Sequence, residues 1–237
     1  MTLEAKNSGV IAIIPARGGS KRIERKNIKD FCGHPIIKYS IDAAKKAGLF
    51  DDVIVSTEDS EIARVAKKLG ASIPSLRSAV NASDQSTLAD VLIEEIGKLE
   101  KREVAPEYIC LVVPTAPTIS EKEIAEGLKV LKKTNADSVM SVCEFSEPIG
   151  RALKIENGLV RMINSKNKFK RTQDLEKKYF DAGRFYWIKT QAFKKNKSFF
   201  TKNTYPLIVP GSLVRDIDTL DDWKAMEIKF RIFKKIK

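Results

Sequence analysis

Apolar and polar positions alternate along the chain in blocks that predict strands and helices in turn. Continuous, β-branched apolar runs predict buried strands at Val10–Ile14, Asp52–Ser56, Tyr108–Val113 and Ser138–Val142, with further strands at Gly183–Ile188 and Ile208–Pro210. Apolar residues at helical spacing predict helices at His34–Ala47, from Asp59 or Ser60 to Gly70, at Ser86–Leu99, before Leu131 and after Thr219. This alternation predicts a three-layer α/β/α fold with a mostly parallel sheet and ligands at the carboxyl ends of its strands.

One segment departs from this pattern. Residues 144–180 consist of shorter, more polar pieces with an Asn157-Gly158 turn, which is typical of a β-hairpin. We therefore expect a single domain over residues 1–237 in which residues 144–180 form an insertion.

Composition indicates a globular protein without a membrane span. The chain has 237 residues, 43% of them hydrophobic and 31% charged, and no apolar run approaches the ~20 residues that a spanning helix needs. Its first nine residues, MTLEAKNSG, lack the apolar region of a secretory signal, so we expect a cytoplasmic location. Cys32, Cys110 and Cys143 lie far apart, which favours reduced thiols, and the single histidine, His34, argues against a histidine-based triad or zinc site.

The formal net charge of +12 raises the hypothesis of nucleic-acid binding. The basic residues are spread along the chain, however, and the basic end KFRIFKKIK is typical of a solvated helix with an apolar stripe at Ile228, Phe230, Ile232, Phe233 and Ile236. No RNA-recognition or helix-turn-helix pattern is found. We predict neither a nucleic-acid nor a membrane partner, and a positive field that concentrates anionic substrates.

The strongest chemical signal is the loop after the first strand, in the stretch IAIIPARGGSKRIERKN from Ile11 to Asn27. Two glycines, which let backbone N–H groups approach a ligand, lie between Arg17 and Lys21. Further cations follow at Arg22, Arg25 and Lys26. The spacing matches neither a P-loop nor a dinucleotide fingerprint, but the density of cations predicts a polyphosphate ligand. We call Arg17–Lys21 the anion loop.

A second signal is the pair Asp216 and Asp218. Alternate residues of an extended segment point the same way, so both carboxylates can face one hard cation such as Mg²⁺. The residues alone leave an alternative open, since Asp218 or Thr219 could cap the last helix.

These motifs resemble those of the CMP-nonulosonate cytidylyltransferases, the family that includes CMP-sialic acid synthetases. The similarity runs through IIPARGGSKRIERKN, VIVSTEDSEIARVAKKLGA, LRSAVNASDQST and VRDIDTLDDW, and so covers nearly the whole chain in order. The segment RTQDLEKKYFDAGRFYW resembles the pseudaminic acid branch. The resemblance implies a Rossmann-like nucleotide-diphospho-sugar transferase fold, transfer of CMP from CTP to the C2 hydroxyl of a nine-carbon keto sugar acid with Mg²⁺ and release of pyrophosphate, and a homodimer formed through residues 144–180. In this family such products serve surface glycan or flagellin glycosylation.

The resemblance also implies residue roles. The catalytic residues would be Arg17, Lys21, Lys26 and Asp218. The nucleotide would contact Arg17, Gly18, Gly19, Ser20, Asn27, Arg77 and Ser86. The sugar acid would contact Arg171, Gln173, Asp181 and Arg184, with Arg184 a candidate for its carboxylate and Asp181–Gly183 a turn. Mg²⁺ would be bound by Asp216 and Asp218.

Two departures separate this chain from the sialic acid enzymes. Val113 precedes Pro114-Thr115, whereas those enzymes carry a glutamine at that position. Tyr179 or Phe180 occupies the position at which they carry an arginine that binds the sugar carboxylate. Both fit pseudaminic acid as the sugar. The alternatives are legionaminate, sialate and the eight-carbon acid KDO, and in another class a non-catalytic binder of anionic polymers.

Overall fold

The computed structural model describes the backbone of residues 9–236 and side chains as far as residue 234; the predictions made from the N-terminal residues 1–8 and from the side chain of Ile236 lie outside the described residues. The described residues contain ten strands, β1 to β10 in chain order: Val10–Pro15, Asp30–Phe31, His34–Pro35, Asp52–Ser56, Tyr108–Val112, Ser138–Glu144, Leu153–Glu156, Leu159–Met162, Tyr179–Lys189 and Thr204–Ile208. The same part of the chain contains six α-helices, α1 to α6: Ile37–Ala47, Ser60–Lys68, Leu88–Glu100, Glu121–Thr134, Thr190–Asn196 and Leu220–Ile236.

Six strands form the central sheet in the order β10-β6-β9-β5-β1-β4. Five of them run in the same direction, and β9 lies between β5 and β6 antiparallel to both. The sheet is therefore mostly parallel, which confirms the predicted class of fold.

Helices cover both faces of this sheet. Alternate residues of β1 point to opposite sides, so that Ala12 and Ile14 pack with α1, α2 and α4, whereas Ile11 and Ile13 pack with α3 and α5. All four side chains are buried, which explains why the strand is apolar throughout. These three layers are the predicted α/β/α arrangement.

The first helix begins later than predicted. Its pattern predicted a start at His34, but α1 begins at Ile37 because Cys32 and Gly33 have positive φ angles (50° and 90°) and form the turn of a small β2–β3 hairpin. Phe31 of this hairpin packs against Trp223 of α6 in a separate apolar cluster. The last helix is thereby fixed beside the segment that follows the anion loop.

The largest difference from prediction lies in β9. The expected turn at Asp181–Gly183 is instead an irregularity within an 11-residue strand, where Met140 pairs with Tyr186 but Val142 pairs with Asp181. Gly183, with φ 58°, adopts the left-handed conformation that this β-bulge requires. The last strand, β10, ends at Ile208 rather than Pro210, and as an edge strand it accommodates Pro206.

The insertion contains the predicted hairpin. Strands β7 and β8 pair only with each other, and Asn157 and Gly158, both with positive φ, form the turn between them. Among the described residues, no helix is long and apolar enough to cross a bilayer. The three cysteines are free thiols, as predicted.

Candidate active site

A cleft of about 260 Å³ opens at the carboxyl ends of β1 and β5, where the fold predicts ligands. Its lining brings together the anion loop, the loop before α3 and the segment after β5. Lining residues that the sequence singled out are Arg17, Ser20, Lys26, Asn27, Arg77, Ser86, Val113, Pro114 and Thr115. Predicted nucleotide contacts from the anion loop and from the loop before α3 therefore share one cavity.

Asp84 gathers two cations at the mouth of this cleft. Arg17 Nη1 lies 2.7 Å from Asp84 Oδ1, and Lys21 pairs with the other carboxylate oxygen. The hydrogen bond from Lys21 and the pairing with Arg17 lower the pKa of Asp84. Ion pairs this exposed contribute little to stability, so an incoming polyphosphate can replace Asp84 as the partner of both cations.

Two polar contacts shape the anion loop itself. The backbone N–H of Gly18 donates to Glu58 Oε1 at 2.6 Å, and Asn27 Nδ2 donates to the carbonyl of Arg17 at 2.9 Å. Asn27 is buried, so its amide helps to fix the conformation of the anion loop. Gly18 has no room for a side chain, since a Cβ atom there would lie 2.5 Å from Asp59 Oδ2.

Lys26 connects the anion loop to the predicted metal pair. Its Nζ atom donates to the carbonyl of Ile217 at 2.7 Å and lies 3.9 Å from Asp218 Oδ1. Burial lowers the pKa of Lys26, and this effect outweighs the attraction of Asp218. A partly desolvated ammonium in this position interacts strongly with negative charge that develops on a phosphate.

Arg77 reaches the cleft as a buried side chain. Its Nε donates to Ser56 Oγ at 3.0 Å and its Nη2 donates to the carbonyl of Ser56. Burial lowers the pKa of Arg77. Ser86, the other predicted contact in this region, lies one residue before Thr87, which caps α3. The helix therefore begins two residues later than its apolar spacing predicted.

Glu94 orders the loop that carries Arg77. Its carboxylate accepts from Ser78 N and Oγ at 2.8 and 2.6 Å and from Asn81 Nδ2 at 2.6 Å, and pairs with Lys98 at 2.7 Å. Burial alone would raise the pKa of Glu94, but the hydrogen bonds from Lys98, Ser78 and Asn81 lower it to about 2. Sequence reasoning missed Glu94 because its contacts span up to sixteen residues.

The predicted metal pair lies beside Lys26. Arg22 Nη2 is 2.8 Å from Asp218 Oδ1, and burial followed by the charges of Asp218 and Asp181 raises the pKa of Asp216. Neighbouring carboxylates that repel each other are a donor set that a hard divalent cation relieves. Within the described residues no group of three or more Asp, Glu, His or Cys side chains can hold a metal alone. A pair of carboxylates is compatible with Mg²⁺, which usually binds one or two carboxylates together with substrate phosphates and water.

Asp181 lies close to this pair at the bulge of β9. Its Oδ2 accepts from the Tyr186 hydroxyl at 2.5 Å and its Oδ1 accepts from Gly183 N at 2.9 Å. Burial, and then the hydrogen bond to Asp181, raise the pKa of Tyr186. Asp181 is exposed, so it remains accessible to a ligand.

The guanidinium of Arg184 is largely occupied by other residues of the protein. It is 2% exposed, and its four Nη hydrogens are directed to Thr118 Oγ1 and O, Leu213 O and the carboxylate of Glu123, at 2.7–3.1 Å. Only its Nε lacks a partner. Because the four Nη hydrogens are engaged by protein acceptors, Arg184 has only its Nε–H left to donate to a ligand, and its assignment to the sugar carboxylate stays a prediction.

The predicted sugar contacts Arg171 and Gln173 lie apart from the cleft at the carboxyl ends of β1 and β5. Arg171 is exposed and pairs with Asp174 at 2.8 Å, and Gln173 lines a separate cavity of about 230 Å³ within the insertion. The structure of one chain does not bring these two residues to Arg17 or Lys26.

A mostly parallel α/β sheet, a cation-rich loop at its carboxyl edge and a nearby carboxylate pair define a nucleotidyltransferase. The chain belongs to the cytidylyltransferase family, whose sequence profile matches residues 11–221. It is 36% identical over 223 residues to the pseudaminic acid cytidylyltransferase of Campylobacter jejuni subsp. jejuni serotype O:2, covering 94% of this chain and 96% of that protein. It is 32% identical to the CMP-N,N'-diacetyllegionaminic acid synthase of Legionella pneumophila subsp. pneumophila, covering 92% and 94%. These matches confirm the resemblance found in the sequence.

Solved structures agree on the fold. A CMP:2-keto-3-deoxy-manno-octonic acid synthetase in complex with CTP superposes with a TM-score of 0.71 at 14% identity, covering 94% of this chain and 98% of that one. The 4-diphosphocytidyl-2C-methyl-D-erythritol synthase of Anaerococcus prevotii gives a TM-score of 0.65 at 13% identity, covering 94% and 96%. At such low identity these likenesses establish the Rossmann-like architecture alone.

Proposed function

We propose that this protein transfers CMP from CTP to the C2 hydroxyl of pseudaminic acid and releases pyrophosphate. The observation that carries this proposal is the 36% identity to a pseudaminic acid cytidylyltransferase over 94% of the chain. The family match spans both the anion loop and the Asp216–Asp218 pair. Lys26 lines the cleft and its Nζ lies 3.9 Å from Asp218 Oδ1, so the cations of the loop and the carboxylate pair are neighbours, as a metal-dependent phosphoryl transfer requires.

The proposed chemistry follows from where charge develops. As the sugar hydroxyl attacks the α-phosphorus, negative charge grows on the α-phosphate and on the departing pyrophosphate. Arg17 and Lys21, at the mouth of the cleft, neutralise the triphosphate, and the N–H group of Gly19 donates to its oxygens. The N–H group of Gly18 is bound by Glu58 and fixes the shape of the loop. Lys26, the most buried of the three cations, stabilises the transition state. Ser20, Asn27, Arg77 and Ser86 position the nucleotide.

Mg²⁺ would be bound by Asp216 and Asp218. When bound, it supplies a positive charge that stabilises phosphate oxygens and lowers the pKa of a nearby hydroxyl. The raised pKa of Asp216 supports this assignment, because clustered carboxylates favour a cation. We expect Asp216→Ala to abolish magnesium-dependent turnover. Near-normal activity of that variant in magnesium would contradict the assignment.

The sugar acid is proposed to contact Asp181 at the β9 bulge, together with Arg171 and Gln173 of the insertion. Because those two residues lie away from the cleft of their own chain, they are proposed to complete the site of a second copy in a homodimer. Apolar side chains exposed on the β7–β8 hairpin and beside it support such an interface, since a lone chain rarely exposes so many together: Leu153, Ile155, Leu159, Val160, Ile163 and Phe169. We expect a dimeric mass in light scattering, and a monomer for Ile155→Asp.

The decisive experiment for the reaction measures pyrophosphate release from purified protein, CTP and Mg²⁺ with one nonulosonic acid at a time. We expect the highest kcat/KM with pseudaminic acid. Legionaminate is the second candidate, because the Legionella relative is 32% identical over most of its length. Sialate and KDO complete the panel. A higher kcat/KM with any of these three sugars would overturn the choice of pseudaminic acid.

The same assay separates an enzyme from a non-catalytic binder of anionic polymers. A binder would show salt-sensitive polymer affinity and no CTP-dependent release of pyrophosphate. We propose a cytoplasmic enzyme with no nucleic-acid or membrane partner, in keeping with the supply of CTP and with the absence of a spanning helix among the described residues.

A further inference from the structure

Arg25 belongs to the run of cations after the anion loop, yet its side chain lies against the start of α2 and not in the lining of the cleft. Its Nη1 and Nη2 donate to the two carboxylate oxygens of Asp59 at 2.5 and 3.1 Å, and Nη2 also donates to Glu61 Oε2 at 2.5 Å. The fork geometry of this bidentate pair fixes direction as well as distance. We call Arg25, Asp59 and Glu61 the α2 clamp.

The carboxylate of Asp59 is held not only by Arg25 but also by the backbone of α2. Asp59 is the N-cap of α2, and its Oδ1 accepts from the backbone N–H groups of Glu61 and Ile62, both at 2.9 Å. Gly18 packs directly on it, so closely that only glycine fits. The neighbouring Glu58 accepts from Gly18 N. The start of α2 therefore forms the surface on which the anion loop rests.

The backbone of Arg25 also connects the α2 clamp to Lys26 and Asn27. Arg25 has φ 54° and its carbonyl accepts from Ile28 N at 2.9 Å, which starts the short 3₁₀ turn that carries Lys26 and Asn27. Asn27 then binds the carbonyl of Arg17, and Lys26 binds that of Ile217. A shift of Arg25 would thus move both the loop and its cations.

We propose that Arg25 is a positioning residue: through the α2 clamp it holds the anion loop and Lys26 in the arrangement used for transfer, and it does not contact the triphosphate. This proposal rests on the proposed function. The competing role for Arg25, a direct phosphate ligand, makes the opposite prediction for its acidic partner. If Arg25 is a positioning residue, removing the charge of Glu61 weakens the α2 clamp and harms the site. If Arg25 is a phosphate ligand, the same change frees its guanidinium for phosphate.

The variants are Arg25→Met and Glu61→Gln, because neither residue is buried and neither side chain caps the helix. Hydrogen exchange is measured for the peptide that spans the anion loop and Lys26, without ligand. We expect both variants to exchange about tenfold faster there, whereas the later turns of α2 keep their protection. Arg25→Lys restores protection in part, since an ammonium cannot form the bidentate pair. Arg64→Met, which removes an exposed cation from the same helix, is the matched control and leaves the loop unchanged.

Steady-state kinetics with CTP provide the second measurement. Both variants should lower kcat about tenfold or more and change the KM for CTP less, because misplaced charge weakens the transition state most. A phosphate ligand would instead give a raised KM in Arg25→Met, a lowered KM in Glu61→Gln and normal exchange in both, and that result overturns the proposal. Unchanged exchange and unchanged kinetics overturn it as well. If the wild-type protein releases no pyrophosphate with any sugar, the proposed function fails, while the exchange experiment still decides whether the clamp holds the loop.

Discussion

Replacing Arg184 by methionine tests whether this side chain is a structural link or a sugar ligand. Methionine fills much of the same volume but donates no hydrogen bonds. The change removes the donors that join the loop after β5, through Thr118, to Leu213, which lies just before the Asp216–Asp218 pair. It also removes the contact to the first turn of α4, where Glu123 accepts a hydrogen bond from Arg184.

The expected cost follows from the partners left behind. Breaking a buried ion pair from one side costs about 3–5 kcal/mol, largely because its partners lose their hydrogen bonds. The lower half of that range applies here, since Glu123 is 18% exposed and still accepts from Ser120 N and Oγ. Each kcal/mol lowers the melting temperature by about 2–4 °C in a chain of this size, so Arg184→Met should melt about 6–16 °C lower.

Calorimetry of the purified variants provides the measurement. Lys129→Met is the matched control, because it removes a cation of α4 whose ion pair with Glu126 is exposed and should shift the melting temperature by only about 1–2 °C. A melting temperature for Arg184→Met within 2 °C of wild type, combined with a large rise in KM for the sugar acid alone, would refute the structural role and restore Arg184 as a substrate ligand.

Three further outcomes are expected. Lys26→Met should lower kcat at least a hundredfold with a smaller change in KM for CTP, and a loss confined to KM would mean that Lys26 binds only ground-state nucleotide. Glu94→Ala should destabilise the protein by about 2 kcal/mol and raise the KM for CTP. Because the pKa of Glu94 is lowered to about 2, its contribution to stability should be complete above about pH 4.5 and disappear as the pH falls toward 2. Urea denaturation of wild type and variant across that pH range would reveal or disprove this dependence. Gly18→Ala should lower the melting temperature because its Cβ would meet Asp59, whereas Gly19→Ala, with nothing within 4 Å, should not; equal melting temperatures would contradict the packing.

The sheet could be predicted from sequence because its central strands are buried on both faces. Such strands are continuous apolar runs, and the predicted bounds of the strand at Asp52–Ser56 agree with β4 to the residue. Element ends were predicted less well where a turn is fixed by tertiary contact. The β2–β3 hairpin delays α1 because Phe31 packs on the last helix, and no local pattern reports that contact.

The candidate site shows the same division. The anion loop and the Asp216–Asp218 pair were found because their chemistry is concentrated in a few consecutive residues. Glu58 and Glu94 were missed because they act on backbone groups 40 and 16 residues away. The structural contacts of Arg184 were missed for a related reason: its charge is visible in the sequence, but its partner Glu123 lies 61 residues earlier.

The hydrogen bond from Lys26 to the carbonyl of Ile217 also bears on how the active protein is made. Its two residues are 191 positions apart. At about 5–20 residues per second, a ribosome needs roughly 10–40 s to reach Ile217 after it has added Lys26. During that interval a nascent chain already carries its anion loop but lacks both the anchor of Lys26 and the carboxylate pair. If the proposed function holds, the chain therefore acquires nucleotide transfer only after Asp216 and Asp218 have been added.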